Sequence, residues 1–149
     1  MNKLANANLE QFTVLTYNIR YGCGLDGVQN LLRIESVLRE SQAQLIGLQE
    51  VDKHNQTRSQ NVDQSNYLAA ALNMEYHYAP ALSAQAQFGN AVLTSFPLLK
   101  GESLTMPKKG TPEDRSIAVA KVLVGEQPLT FMATHLGLAQ GERLEHIEL

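Results

Sequence analysis

Three polar residues follow short apolar segments of this sequence and are the first candidates for chemistry. Asn18 stands in Thr-Tyr-Asn-Ile, Glu50 in Leu-Gln-Glu-Val and His135 in Thr-His-Leu-Gly. Because α/β proteins assemble their sites where strands end, the pattern predicts that these side chains come together. A carboxylate in such a position also serves as a solvated loop residue or a helix-cap partner, and it is the occurrence of all three that favours a site.

The three residue types suit the hydrolysis of a phosphoester. Mg²⁺ binds one or two carboxylates, several waters and substrate phosphate, so Glu50 is the right kind of ligand. The amide of Asn18 is suited to weak coordination, or to holding a phosphate oxygen and an attacking water. The imidazole of His135 is suited to moving a proton or, as a cation, to neutralising charge that builds on phosphorus.

The apolar pattern predicts the elements that must position these residues. A strand at 12–19, an amphipathic helix between Gly27 and Glu40 and a buried strand at 45–48 form a βαβ pattern, which is typical of an α/β protein. A polar loop follows at 52–65. The remaining predicted elements are a helix at 66–73, strands at 75–78, 90–96, 116–124 and 129–134, and a helix that begins at 140.

Composition narrows the classes of function. The chain has 149 residues, 44% of them hydrophobic, and a formal net charge of -3, which indicates a folded domain without the basic surface of a protein that binds long nucleic acids. One cysteine, Cys23, excludes an internal disulfide and favours a reducing compartment. The first residues lack the apolar core of a secretory signal, and no segment approaches the ~18 apolar residues of a membrane span. We therefore expect a cytoplasmic protein.

Five segments in order resemble the motif series of the endonuclease/exonuclease/phosphatase superfamily, whose fold is that of deoxyribonuclease I. The segments are Leu15-Thr-Tyr-Asn-Ile-Arg20, Leu48-Gln-Glu-Val-Asp52, Arg58-Ser59 with Asp63-Gln64, Gly89-Asn-Ala-Val-Leu-Thr-Ser-Phe-Pro97 and Thr134-His-Leu-Gly-Leu138. The resemblance implies that Asn18 binds metal or phosphate, that Glu50 is the principal ligand of Mg²⁺ or Mn²⁺, and that His135 contacts the scissile phosphate.

The resemblance also implies an α/β fold that is half of a four-layer α/β/β/α sandwich, with a mixed, mostly antiparallel sheet and helices on one face. Residues 1–11 are predicted to be a polar N-terminal segment and residues 12–149 a truncated domain, because the family continues to Gly-Asp-x-Asn and Ser-Asp-His segments that this sequence does not contain. The sheet face that should meet the second sheet is expected to be bare, which predicts self-association.

Four further residues are candidates with two interpretations each. Arg115 precedes an apolar strand and suits either a phosphate clamp or a salt bridge, and Arg58 suits either substrate contact or a solvated loop. Asn90 beside Gly89 suits either the site or a turn. Asp52 suits either support of the site or a capping role.

Two functions follow from these expectations. The first is a divalent-metal-dependent phosphodiesterase or phosphatase that is incomplete in this chain and inactive alone, acting on a small or lipid-derived phosphoester in preference to nucleic acid. The second is a noncatalytic, truncated domain that acts by self-association or by binding a partner.

Overall fold

The computed structural model describes residues 11–82, 87–106 and 114–148, so most of the predicted N-terminal segment lies outside the described residues. A short 3-10 helix, Arg20–Gly22, follows the first strand. The other elements are β1 (Val14–Asn18), α1 (Leu31–Ser41), β2 (Leu45–Lys53), α2 (Gln64–Leu72), β3 (Glu75–Leu82), β4 (Gln87–Thr94), β5 (Leu98–Met106), β6 (Arg115–Val124), β7 (Gln127–Thr134) and α3 (Gln140–Ile147).

The strands form two sheets. The first has the order β1-β2-β4-β3 and the second the order β5-β6-β7. β1 runs parallel to β2, and every other pair of neighbouring strands is antiparallel. The predicted α/β class with a mixed, mostly antiparallel sheet is therefore confirmed.

Helices α1 and α2 cover one face of the first sheet. Ile34 and Leu38 of α1 and Leu68 of α2 pack with buried residues of β2 and β4, including Ile46 and Leu48. Each helix begins at a side chain that caps it, because Asn30 accepts from the backbone N–H groups of Leu32 and Arg33, and Asp63 accepts from that of Asn66. The caps fix where the two helices start against the sheet.

The second sheet covers the other face of the first. Leu45 and Val92 of the first sheet are fully buried against small residues of the second, which include Ala118, Ala120 and Ala133. The layers approach closely at Gly47, where a Cβ atom would lie only 3.1 Å from that of Ala133. The prediction of a bare inner face is therefore wrong, because the chain itself supplies three strands of the second sheet.

Exposed apolar side chains occur on the opposite, outer face of the second sheet. Alternation along β6 turns Ala118 inward and Val119 outward, and Val119 stands beside Glu102 and Met132 in the neighbouring strands. Leu104 and Met132 on this face are 49% and 58% exposed. The apolar surface expected from the sequence is thus present on a different face from the predicted one.

Strand β5 was not predicted from the sequence. Its burial pattern shows a single buried residue, Met106, and its middle contains Lys100, Gly101 and Glu102. Gly101 is required where β5 crosses β3, because a Cβ there would lie 2.3 Å from Nδ1 of His77. No helix in the described part of the chain is long and apolar enough to cross a membrane.

His77 of β3 links the two sheets and should make stability depend on pH. Its Nε2 lies 3.0 Å from Oγ of Ser103 in β5. Burial lowers the pKa of His77 below its usual value, although the backbone and the carboxylate of Glu102 partly oppose this shift.

We expect the free energy of unfolding to fall as the pH drops below about 6.5, because the unfolded chain then binds a proton that the folded protein holds less tightly. Urea unfolding between pH 5 and 8 measures this dependence, and His77→Gln should flatten it. In His54→Gln, which removes an exposed loop histidine, the slope should remain. An unchanged slope in His77→Gln would contradict the assignment.

Candidate active site

Asn18 and Glu50 are brought together by the parallel pairing of β1 with β2. Asn18 is the last residue of β1 and lies beside Gln49 in the register. Its side-chain Nδ2 donates to Oε1 of Glu50 at 2.7 Å. The amide therefore fixes one carboxylate oxygen, which is the orientation that a metal ligand needs from its supporting groups.

Glu50 lies in a β-bulge of β2. Leu48 pairs with Ala91 and Val51 pairs with Gly89, so the two residues Gln49 and Glu50 stand opposite Asn90 alone. Glu50 has a left-handed backbone with φ of 56°. An extra residue of this kind bends the strand and re-aims a side chain, and bulges are frequent next to active sites.

A left-handed turn follows Asn18. The backbone N–H of Arg20 donates to Oδ1 of Asn18 at 3.0 Å. Arg20, Tyr21 and Gly22 all have positive φ, at 47°, 45° and 80°. Oδ1 of Asn18 thus already accepts from the backbone while Nδ2 holds Glu50, an arrangement better suited to orienting the carboxylate than to replacing it as the main ligand.

His135 reaches the pair from the second sheet. It follows the last residue of β7, and its Nδ1 lies 3.9 Å from Oε1 of Glu50. This distance exceeds a hydrogen bond, but both side chains keep some access to solvent, 30% for His135 and 23% for Glu50. The structure therefore brings together the three residues that the sequence singled out, at one end of the two packed sheets.

Arg58 forms an ion pair with Asp52. Its Nε donates to Oδ2 of Asp52 at 2.9 Å, and its Nη2 donates to Oδ1 of the same carboxylate, whose side chain is fully buried. The guanidinium lies 4.3 Å from the ring centroid of Tyr21 and 5.0 Å from that of Phe88. The hydrogen bonds to Asp52 raise the pKa of Arg58, so its charge is held permanently beside the Glu50 segment.

Asn90 and Arg115 occupy buried positions. Nδ2 of Asn90 donates to the backbone oxygen of Ser116 at 2.8 Å and ties β4 to the second sheet. Its Oδ1 is buried without a hydrogen-bond partner among the described residues. Arg115 begins β6 opposite Met106, at the same end of the sheet as His135, because Ile117 pairs with Thr134. Substrate contact by Arg58, Asn90 and Arg115 stays a prediction.

The donor set suits a hydrated cation. No group of three or more His, Cys, Asp or Glu residues that could hold a metal occurs among the described residues. Mg²⁺ takes most of its octahedral shell from water and substrate, so one carboxylate with an amide and an imidazole beside it fits this ion better than it fits Zn²⁺.

The architecture is that of the endonuclease/exonuclease/phosphatase superfamily, and the chain belongs to this superfamily. Within it, residues 9–147 match the family described as PGAP2IP, C-terminal nuclease-like domain. No curated protein matches the chain in sequence.

Solved structures share the fold at low identity. An endonuclease/exonuclease/phosphatase from Beutenbergia cavernae DSM 12333 has a TM-score of 0.77 and 23% identity, over 91% of this chain and 42% of that one. TDP2 from D. rerio, complexed with single strand DNA product, has a TM-score of 0.62 and 20% identity, over 89% of this chain and 48% of that one. ANGEL2, described as a 2',3'-cyclic phosphatase, has a TM-score of 0.66 and 16% identity, over 91% of this chain and 44% of that one. The chain thus spans less than half the length of each of these three structures.

The buried carboxylate of Asp52 gives a test of the ion pair. We expect Asp52→Asn to lower the free energy of unfolding by roughly 2–3 kcal/mol, somewhat less than the loss of one partner from a fully buried pair, because Arg58 remains partly hydrated. Asp26→Asn removes one partner of the exposed Asp26–Arg33 pair and is the matched control, which should unfold close to the wild type. Equal losses in the two variants, measured by urea unfolding, would contradict a buried pair.

Proposed function

We propose that the chain carries the metal-binding part of a divalent-metal-dependent phosphoester hydrolase. The observation that supports this function most directly is the grouping of Glu50 with Asn18 and His135, which come from different strands of two sheets. A carboxylate held by an amide and approached by an imidazole is a suitable donor set for Mg²⁺ or Mn²⁺ and a phosphate. When bound, such an ion polarises a phosphoryl oxygen and stabilises developing negative charge.

The roles of the three residues follow from their positions. Glu50 offers its carboxylate to the cation, and Asn18 orients that carboxylate through Nδ2. His135, with its ring close to the same carboxylate and partly open to solvent, is placed to donate a proton to phosphate or to balance its charge. We infer that Arg58 acts indirectly, because Asp52 engages two nitrogens on one edge of its guanidinium.

We infer that the chain alone has little or no turnover. The superfamily motifs that supply the water-activating residues have no counterpart in this sequence, and the matches cover only 42% of the Beutenbergia cavernae structure and 44% of ANGEL2. Removing members of a cooperative site commonly lowers the rate by several orders of magnitude. The proposed activity therefore belongs to an assembly in which a further segment completes the site.

A small or lipid-derived phosphoester is the proposed substrate class. The net charge of -3 differs from the strongly basic balance that is typical of proteins that bind a polyphosphate backbone, which disfavours long nucleic acid. The DNA product bound to D. rerio TDP2 keeps nucleic acid as the alternative, since the fold is shared. We retain the proposal of a reducing, cytoplasmic environment, which is supported by the single cysteine.

Binding of Mn²⁺ tests the metal role without requiring turnover. Titration of the chain with Mn²⁺, followed by calorimetry and by the electron paramagnetic resonance of the free ion, should show one site from which Mg²⁺ displaces Mn²⁺. Loss of even an outer-shell partner weakens metal affinity by about 10- to 100-fold, so Glu50→Gln should weaken binding by at least about tenfold.

Glu126→Gln is the matched control, because it removes the same charge from the exposed turn between β6 and β7, at the other end of the second sheet from His135. Binding that is equally tight in Glu50→Gln and in the wild type would rule out the assigned ligand. Any hydrolysis of a generic phosphodiester by the chain should disappear with chelator and in Glu50→Gln.

The exposed outer face of the second sheet favours a second candidate, a noncatalytic domain that associates with another copy of itself. The outward residues Leu104, Val119 and Met132 contribute one apolar side chain from each strand to this face, which also carries Glu102 beside Val119. Burying such a surface against a second copy would remove it from water, at about 25 cal/mol for each Å² of apolar area.

Sedimentation velocity over a range of protein concentrations tests this association. We expect the wild type to sediment faster as its concentration rises, and Met132→Lys to abolish this change by placing a charge in the interface. Leu25→Lys, which alters an apolar residue that is 102% exposed on a loop, is the matched control and should behave as the wild type. A wild type that is monomeric at every concentration would exclude the second candidate.

A further inference from the structure

Two backbone segments with unfavourable conformations carry the residues of the proposed site. Arg20 and Tyr21, with φ of 47° and 45°, form the turn that donates to Asn18. Glu50, with φ of 56°, forms the bulge. Non-glycine residues persist in this left-handed region only where surrounding contacts determine their conformation, so both segments need to be held from outside.

One buried side chain contacts both segments. Gln64, the first residue of α2, is 1% exposed. Its Oε1 accepts the backbone N–H of Asp52 at 3.0 Å, two residues after Glu50. Its Nε2 donates to the backbone oxygen of Tyr21 at 2.8 Å, three residues after Asn18. The two ends of one carboxamide therefore join the turn after β1 to the bulged strand β2.

The position of Gln64 is itself fixed by the start of α2. Asp63 caps the helix by accepting from the backbone N–H of Asn66 at 3.0 Å. The same carboxylate pairs with Nζ of Lys53, the last residue of β2, at 2.9 Å. Since Asp63 is anchored to β2 on one side and to α2 on the other, its neighbour Gln64 has little freedom to move away from the two segments.

A second amide reinforces one end of this bridge only. Nε2 of Gln29 donates to the same Tyr21 oxygen at 2.7 Å. Within residues 11–82, Gln29 makes no side-chain hydrogen bond to β2, so it holds the turn without joining it to the bulge. Among the described residues, Gln64 is thus a side-chain link between the two segments, in addition to the backbone hydrogen bond from the N–H of Ile19 to the oxygen of Gln49 at 3.0 Å.

We propose that Gln64 is a positioning residue that, together with the pairing of β1 and β2, holds the side chains of Asn18 and Glu50 in hydrogen-bonding position. The carboxamide holds the Tyr21 turn and the Asp52 backbone at a fixed separation, and this separation keeps Nδ2 of Asn18 within hydrogen-bonding distance of Glu50. The effect of this geometry on metal binding rests on the proposed function. The hydrogen-bond geometry itself is independent of that function.

Nuclear magnetic resonance of the side-chain amide of Asn18 tests the proposal without requiring metal or turnover. The amide signals, identified by their loss in Asn18→Ala, report the hydrogen bond to Glu50. Their position without an acceptor is given by Glu50→Ala. In Gln64→Met, which keeps the side-chain length but removes both polar ends, we expect these signals to move from the wild-type position towards the position in Glu50→Ala.

Thr94→Val is the matched control for a lost buried hydrogen bond. Thr94 is 0% exposed, and its Oγ1 accepts from the backbone N–H of Phe96 at 3.0 Å, but it pairs with Leu45 at the other end of β2. This variant should lower stability while leaving the Asn18 amide signals in place. Gln29→Met should leave them close to the wild type, because Gln64 still joins the two segments.

The outcomes separate this inference from the proposed function. Asn18 signals that stay at the wild-type position in Gln64→Met would overturn the positioning role, whatever happens to metal binding. A shift in these signals, accompanied by a roughly tenfold weaker affinity for Mn²⁺, supports both proposals. The same shift in a chain whose wild type does not bind Mn²⁺ supports the positioning role and excludes the metal site. If Gln64→Met does not fold, Gln64→Asn decides in the same way, because its shorter amide cannot reach both partners.

Discussion

The hydrogen bond between Asn18 and Glu50 depends on the β-bulge in β2. A regular strand would place successive side chains on opposite faces, and the carboxylate after Gln49 would then point towards the helices. The bulge inserts one residue opposite Asn90, and the left-handed backbone of Glu50 turns its side chain to the end of the sheet. The β-bulge exposes the carboxylate of Glu50. His135 and the turn after β1 are arranged around that carboxylate.

The ion pair of Asp52 with Arg58 shows how the surroundings of the bulge are kept rigid. A buried carboxylate without a partner would be unfavourable, and the guanidinium donates to both of its oxygens. The same guanidinium also lies against the rings of Tyr21 and Phe88. These contacts join the turn after β1, the loop after β2 and the start of β4.

The sequence predicted the elements with strong apolar patterns and the residues at their ends. β2 and β6 are apolar on both faces. Asn18 and His135 stand where strands finish, and Glu50 follows the apolar run 45–48 inside β2, which continues to Lys53, so residue type and position were enough to select the three. β5 escaped prediction because only Met106 is buried in it and its pairing with β6 comes from residues far away in the sequence. The covering of the inner face by the second sheet was not predicted for the same reason, because the apolar periodicity of one sheet does not specify its contacts with another sheet.

Gln64 illustrates the limit of such reasoning at the level of single residues. In the sequence it is a polar residue near the start of a helix, next to a capping aspartate, and nothing in its spacing indicates that its amide is buried. Its two partners are backbone atoms, which every residue possesses, so only the folded chain reveals which ones are reached. The bulge could not be predicted from the sequence either, because an alternating apolar pattern does not specify where one strand has an extra residue relative to its neighbour.

The close packing of Gly47 against Ala133 has a consequence for how such a site tolerates change. Glu50 and His135 lie on separate layers, so the thickness of the gap between the layers sets the separation of carboxylate and imidazole. A larger side chain at Gly47 or Ala133 would widen the gap between the two sheets. The carboxylate of Glu50 and the imidazole of His135 would then lie farther apart, although the new side chain contacts neither of them. Two small residues in the interior thereby control the geometry of the candidate site at its edge.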